Sequence, residues 1–291
     1  MLSHLAALAG MTQAPRPFAR MASLAATGEP RTLPGDLVVR DHLFTVPTDH
    51  DAGPKGKLGT IELYVREVCT SSATTDQPYL LFLQGGPGFP SPRPSCPPSG
   101  WLKAALAKYR VLLLDQRGTG RSSACTPQSL EAIGDAAAQA EYLTHFRADA
   151  IVKDCEVVRK KLAGGKQLTL LGQSFGGFCI LNYLSQFPKA IERAIFTCGL
   201  APVGRSADQV YRATYARMEE RNRRFYARYP QDVAVVRAIV RRLHEEALPM
   251  PRGGTLTPRR FLQLGLLLGS GSGLESLHHL LEGVPNPEAQ P

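Results

Sequence analysis

At 291 residues and 43% hydrophobic content, the chain can fill one large domain or a domain carrying an insertion. It contains no run of eighteen uncharged apolar residues, so no transmembrane helix and no membrane partner is expected. The formal net charge is +9, but thirteen arginines against six acids fall between Arg205 and Arg260, so most of the basic excess belongs to one late segment.

The first 28 residues hold no Asp or Glu but carry Arg16 and Arg20 among many Ala, Leu and Ser. Residues 1–30 therefore read as a leader, either a targeting sequence or a disordered start. The expected compartment is the cytoplasm, or the chloroplast or mitochondrion if the leader is a transit peptide. Six cysteines, at positions 69, 96, 125, 155, 179 and 198, form no CxxC pair. That argues against a disulfide scaffold and against a metal site, and fits a reducing interior.

From residue 37 the pattern becomes short and β-rich. Residues 37–46 and 60–68 alternate as an opening antiparallel pair, separated by a turn-forming stretch at 49–59. Residues 79–83 and 110–114 are continuous apolar runs, as expected of strands buried on both faces. A short helix is predicted over 101–108. A stronger one is predicted over 147–162, where Ile151, Val152, Cys155, Val158 and Leu162 recur at three- and four-residue steps. Residues 168–171 form the next buried strand, 175–187 the next helix and 194–198 another strand. Strands alternating with helices imply a mostly parallel sheet with helices on both faces.

After Gly199 the periodicity is helical, with arginines and Gly/Pro breaks, and no buried strand is evident. This predicts a helical cap over 205–282 on a core spanning 37–204, with a disordered tail at 283–291. The arginine-rich stretch lacks the aromatic-basic strands or zinc spacing of nucleic-acid modules. It reads as a solvated helical face, and no nucleic-acid partner is expected.

Three motifs carry the chemistry. Gly172-Gln173-Ser174-Phe175-Gly176 lies directly between a predicted strand and a predicted helix, the context a serine nucleophile needs. Small neighbours let the backbone turn sharply, and the helix start directs its amides toward a developing oxyanion. Gln84-Gly85-Gly86-Pro87-Gly88 follows the strand at 79–83 and can present a second donor. The amides of Gly86 and Phe175 together would form the oxyanion hole, each such donor being worth about 3 kcal/mol in the transition state. The third motif runs from Asp115-Gln116-Arg117-Gly118 through Thr119-Gly120-Arg121-Ser122. Here Asp115 and Arg117 are expected to pair, or to bond backbone amides, and so brace the loop beneath the site.

These three motifs, in this order and at these strand ends, resemble the proline iminopeptidase family of α/β-hydrolases, in its larger, long-cap form. The resemblance runs from about residue 37 to 199 and more loosely beyond; glutamine at 84 departs from the histidine usual in the family. It implies an α/β-hydrolase fold with a helical cap, and release of N-terminal proline from a peptide substrate through an acyl-enzyme on Ser174. No cofactor is implied. The cap would anchor the free amine of the substrate through carboxylates, for which Glu219 and Glu220 are the candidates. An esterase on the same scaffold is the alternative that the cap would decide.

The acid and the histidine of a triad are expected after the serine. His244, His278 and His279 all fall in helical stretches, as do Asp208 and Asp232, and none follows a buried strand. The simplest expectation is a chain that stops short of the last two strands. A catalytically silent form then competes with the active one.

Overall fold

The computed structural model describes residues 23–246, 248–251 and 253–284. Most of the expected leader lies outside the described residues. Its end does not: Ser23–Thr27 forms strand β1 and Arg31–Leu33 forms β2. Both pair antiparallel with β3 (Leu37–Pro47). Sequence pattern misses β1 because four of its five residues are exposed and Leu24 alone packs on the core.

Strand β3 pairs along its whole length with β4 (Thr60–Thr70), from Leu37 opposite Thr70 to Pro47 opposite Thr60. Next come β5 (Tyr79–Leu83), helix α1 (Gly100–Leu106) and β6 (Arg110–Asp115). Two short helices, α2 (Pro127–Glu131) and α3 (Ala136–Thr144), fill a stretch with no strong periodicity. Helix α4 (Ala148–Leu162), β7 (Leu168–Gln173), α5 (Phe175–Gln186) and β8 (Ile191–Thr197) complete the alternation. The sheet order is β1-β3-β4-β6-β5-β7-β8, with β2 also on β3. Strands β6, β5, β7 and β8 run parallel and carry the motifs, and the strands on the far side of β6 pair antiparallel.

The central strands read as unbroken apolar runs because each buries both faces. Leu81, Leu83, Leu112 and Leu114 pack with Ile151, Val152, Cys155 and Val158 of α4 and Ile180 of α5. Leu80, Phe82, Val111 and Leu113 pack on the other face with Leu102 and Leu106 of α1. Each fully buried leucine contributes about 2 kcal/mol of apolar transfer.

Charged groups are buried with their partners. Arg117 donates to Asp154 from Nε (2.7 Å) and Nη2 (2.6 Å), and to the carbonyls of Thr48 and His145. His50 Nε2 lies 2.7 Å from the same carboxylate. Burial alone would raise the Asp154 carboxyl, but the Arg117 guanidinium holds it below its ordinary value. Glu67 sits between His42 (3.0 Å) and Arg110 (2.6 Å). Burial raises it, yet the hydrogen bond with His42 and the charge of Arg110 bring it down to about 2.

The chain divides into two compact units at Ala201 and Pro202, a few residues before the expected cap boundary. The second contains α6 (Ala207–Arg228), α7 (Asp232–Glu245), α8 (Pro258–Leu262) and α9 (Gly273–Leu281). A two-residue strand pair, β9 (Leu248–Pro249) with β10 (Thr255–Leu256), is too short to register in a sequence pattern. Phe225, Val235, Leu268, Leu277 and Leu281 form a small core of its own. The expected tail lies outside the described residues from position 285. No described helix is long and apolar enough to cross a membrane.

Two predictions follow from these packing features. The Glu67 carboxylate, lowered from 4.5 to about 2, stabilises the fold above pH 4.5 and loses that contribution as pH falls toward 2. Glu67→Gln is expected to cost up to about 3 kcal/mol at neutral pH and to flatten the acid limb of urea-unfolding stability against pH. Strand β8 has a partner on one side among the described residues, and Ile195 is 43% exposed. Concentration-dependent self-association is expected in sedimentation velocity, and Ile195→Lys should reduce it.

Candidate active site

Ser174 occupies the single residue between β7 and α5, at φ 52° and ψ −118°. A positive φ strains a residue with a side chain, so the turn must be fixed from several sides. The Ser174 amide donates to the carbonyl of Thr197 at 2.8 Å, and its carbonyl accepts from the Gly177 amide at 2.9 Å. At Gly176 a side chain would run into the Leu83 carbonyl at the end of β5, so only glycine permits this close approach of α5 to the neighbouring strand.

Strand β5 lies beside β7, with Leu83 opposite Gly172. The two motif loops therefore leave the sheet at the same end. They meet at Gly85: a Cβ there would stand 2.9 Å from Ser174 Cβ and 3.5 Å from Ser174 Oγ. Gly85 is buried and Ser174 is half-buried. The Gly85 amide is taken by the side-chain oxygen of Gln84 at 3.0 Å. The amides of Gly86 and Phe175, by contrast, make no hydrogen bond among the described residues. Residues 84–88 and 172–176 are thus brought together.

The third motif braces this arrangement by the second of the two expected routes: Asp115 bonds backbone amides and does not pair with Arg117. Asp115 and Arg117 bond to other partners. Arg117 reaches Asp154 on α4, a carboxylate distant in sequence and set on a helix whose amphipathic pattern gave no sign of it. Asp115, fully buried, accepts the amides of Ser91 (3.1 Å) and Arg121 (2.9 Å), and both Nη atoms of Arg93. Ser91 Oγ donates to the Leu114 carbonyl at 2.7 Å, and Gln116 Nε2 donates to the Gln84 carbonyl at 3.1 Å. Both ends of the glycine loop are tied to the exit of β6.

The described histidines other than His244, which is exposed and makes no side-chain hydrogen bond or ion pair among the described residues, have other partners. In the first unit His42 bonds Glu67, His50 bonds Asp154, and His145 lies 3.9 Å from Asp49. In the second unit His278 Nδ1 lies 2.8 Å from Asp232 and its ring stacks on Tyr229 at 4.0 Å. Sequence reading missed this acid–histidine pair because the partners lie 46 residues apart on separate helices. His279 bonds Glu282 at 3.1 Å. Among the described residues no histidine bonds Ser174.

Glu219 and Glu220 lie on α6 in the second unit. Glu220 pairs with Arg224 and, at 3.7 Å, with Arg217. Glu219 is exposed and makes no ion pair among the described residues. No group of three or more His, Cys, Asp or Glu among the described residues could hold a metal ion.

Residues 78–235 match the family model of the alpha/beta hydrolase fold. The chain is 47% identical over 242 residues to a proline iminopeptidase of Aeromonas sobria, covering 83% of this chain and 56% of the relative. It is 38% identical over 261 residues to the proline iminopeptidase aneH of Aspergillus aculeatus, covering 87% of this chain and 57% of the relative. The chain thus spans a little over half the length of these relatives. Among solved structures, a 2-hydroxy-6-oxo-6-phenylhexa-2,4-dienoate hydrolase from Rhodococcus superposes with a TM-score of 0.36 at 16% identity. That match covers 55% of this chain and 47% of the other, a likeness too slight to argue from. With the elbow, the glycine loop and the brace in place, the chain belongs to the alpha/beta hydrolase family, and the two relatives it resembles are both proline iminopeptidases.

Proposed function

We propose that Ser174 is the nucleophile of a serine hydrolase that releases N-terminal proline from peptides. The observation that carries this reading is the meeting of Ser174 with the glycine loop, where a Cβ on Gly85 would lie 3.5 Å from Ser174 Oγ. The named activity of the two relatives supplies the substrate class.

In the proposed reaction Ser174 Oγ attacks the carbonyl carbon of the terminal proline and gives its proton to a general base. The carbonyl oxygen becomes an oxyanion that accepts from the unengaged amides of Gly86 and Phe175. The C–N bond then breaks and the shortened peptide leaves as an amine, taking up the proton. Water hydrolyses the proline ester on Ser174 and restores the hydroxyl. Recognition of the prolyl amine needs a carboxylate. Glu219 suits that role better than Glu220, which two arginines already engage.

A silent reading also has an observation in its favour: no histidine bonds Ser174 among the described residues. A serine without its base loses several orders of magnitude in rate.

Labelling by a fluorophosphonate probe separates these readings. The active reading expects labelling of the wild-type chain that vanishes in Ser174→Ala, and absence of labelling in the wild type favours the silent one. Proline p-nitroanilide should be cleaved faster than a short p-nitrophenyl ester, and the reverse order would favour an esterase. Gly85→Ala places a methyl 2.9 Å from Ser174 Cβ and is expected to slow labelling ~10²-fold, with the far-UV circular dichroism unchanged.

A further inference from the structure

Three arginines from separate parts of the chain converge around one tyrosine, and a fourth joins them through a shared carboxylate. Tyr64 and Arg66 lie on β4, Arg31 on β2, Arg121 in the turn after β6, and Arg93 beyond the glycine loop. The guanidinium carbons of Arg121, Arg93 and Arg66 stand 4.2, 5.1 and 5.9 Å from the Tyr64 ring centroid. Arg31 joins them through Asp41. Its Oδ2 accepts from Arg31 (2.9 Å), Arg66 (3.0 Å) and Arg121 (3.1 Å), while Oδ1 accepts from Arg66 Nε and the Tyr64 hydroxyl, both at 2.7 Å.

The charges in this cluster do not balance. Among the described residues the four guanidinium groups make ion pairs with only two carboxylates, Asp41 and Asp115. The Arg93 fork is closed on Asp115, but Arg31 and Arg121 each use a single side-chain nitrogen among the described residues. Both are 58% exposed, so their remaining donors face solvent. A negative group with two or three oxygens matches these planar forks and would relieve the repulsion among them. The Tyr64 ring adds attraction for the cations on its face and holds them together.

We propose that Arg31 and Arg121, held side by side on Asp41 next to Tyr64, form a binding site for an oxyanion, a carboxylate or phosphate group, with Arg66, its fork closed on Asp41, adding positive charge behind them. This site does not depend on the reading of Ser174. It does adjoin the glycine loop, because Asp115 accepts both the Arg121 amide and the Ser91 amide.

The test uses the full chain, titrated with inorganic phosphate at ionic strength held constant with sodium chloride. Binding is followed by thermal shift and by the ³¹P line width. The expected result is a saturable rise in melting temperature that chloride does not reproduce. Arg31→Gln with Arg121→Gln should weaken it at least ~10-fold, with the melting temperature in chloride little changed. Should that double variant not fold, Arg121→Lys, which keeps the charge but loses the fork, should weaken binding several-fold. Triglycine and triglycinamide then separate the sources. Competition with phosphate by the free acid alone identifies a peptide carboxylate, and competition by neither identifies a phosphate group. Phosphate acting no differently from chloride, or binding the folded double variant as tightly as wild type, would overturn the proposal.

Discussion

The close approach of helix α5 to the end of strand β5 is the constraint on which the site depends. Gly176 lies against the Leu83 carbonyl with no space for a side chain. That contact fixes where the helix starts, and the start of the helix fixes the turn in which Ser174 adopts φ 52°. Because Leu83 is also the last residue before the glycine loop, one packing contact sets both halves of the site. Strain at Ser174 persists because hydrogen bonds on either side of the peptide, to Thr197 and from Gly177, over-determine its conformation.

Beneath this contact lies a layer of buried polar groups. Arg117 and Asp154 are both inaccessible to solvent, and their mutual attraction is offset by the cost of removing two charges from water. Their contribution is geometric more than energetic. Arg117 gathers the carbonyls of Pro47, Thr48 and His145, so the loop after β3, the end of α3 and helix α4 all meet at one guanidinium. Asp115 does the same for the glycine loop and the turn after β6. The two residues act on different segments.

The first unit therefore brings Ser174 against Gly85 of the glycine loop, while its described histidines face carboxylates elsewhere. In the second unit the acid–histidine pair of Asp232 and His278 joins α7 to α9, next to the apolar core formed by Phe225 and its neighbours. The arginines of α6 that gave the segment its charge include one structural member. Arg221 donates to the carbonyls of Leu268 and Ser270, satisfying groups at the end of the 3-10 turn at Gln263–Gly269.

Local pattern determined the strands and helices that bury apolar surface. Residues 79–83, 110–114 and 168–171 are legible because both faces of each strand are covered, and α4 because its apolar residues recur at helical steps. The positions of Ser174, Gly85 and Gly86 were legible for a related reason: a tight turn without side-chain room requires glycine, and glycine is visible in a sequence. Strand β1 was not legible, since a mostly exposed edge strand carries no alternation. Tertiary structure alone decided the ionic partners. Asp154 is 37 residues from Arg117, and Asp232 is 46 from His278, and nothing local marks a carboxylate as the one a distant cation will meet. The gathering of Arg66, Arg93 and Arg121 at Tyr64, and of Arg31 at Asp41, is of the same kind. Coulombic and hydrogen-bond pairing acts between groups that the sheet order has already made neighbours, and that order follows from packing of the whole chain.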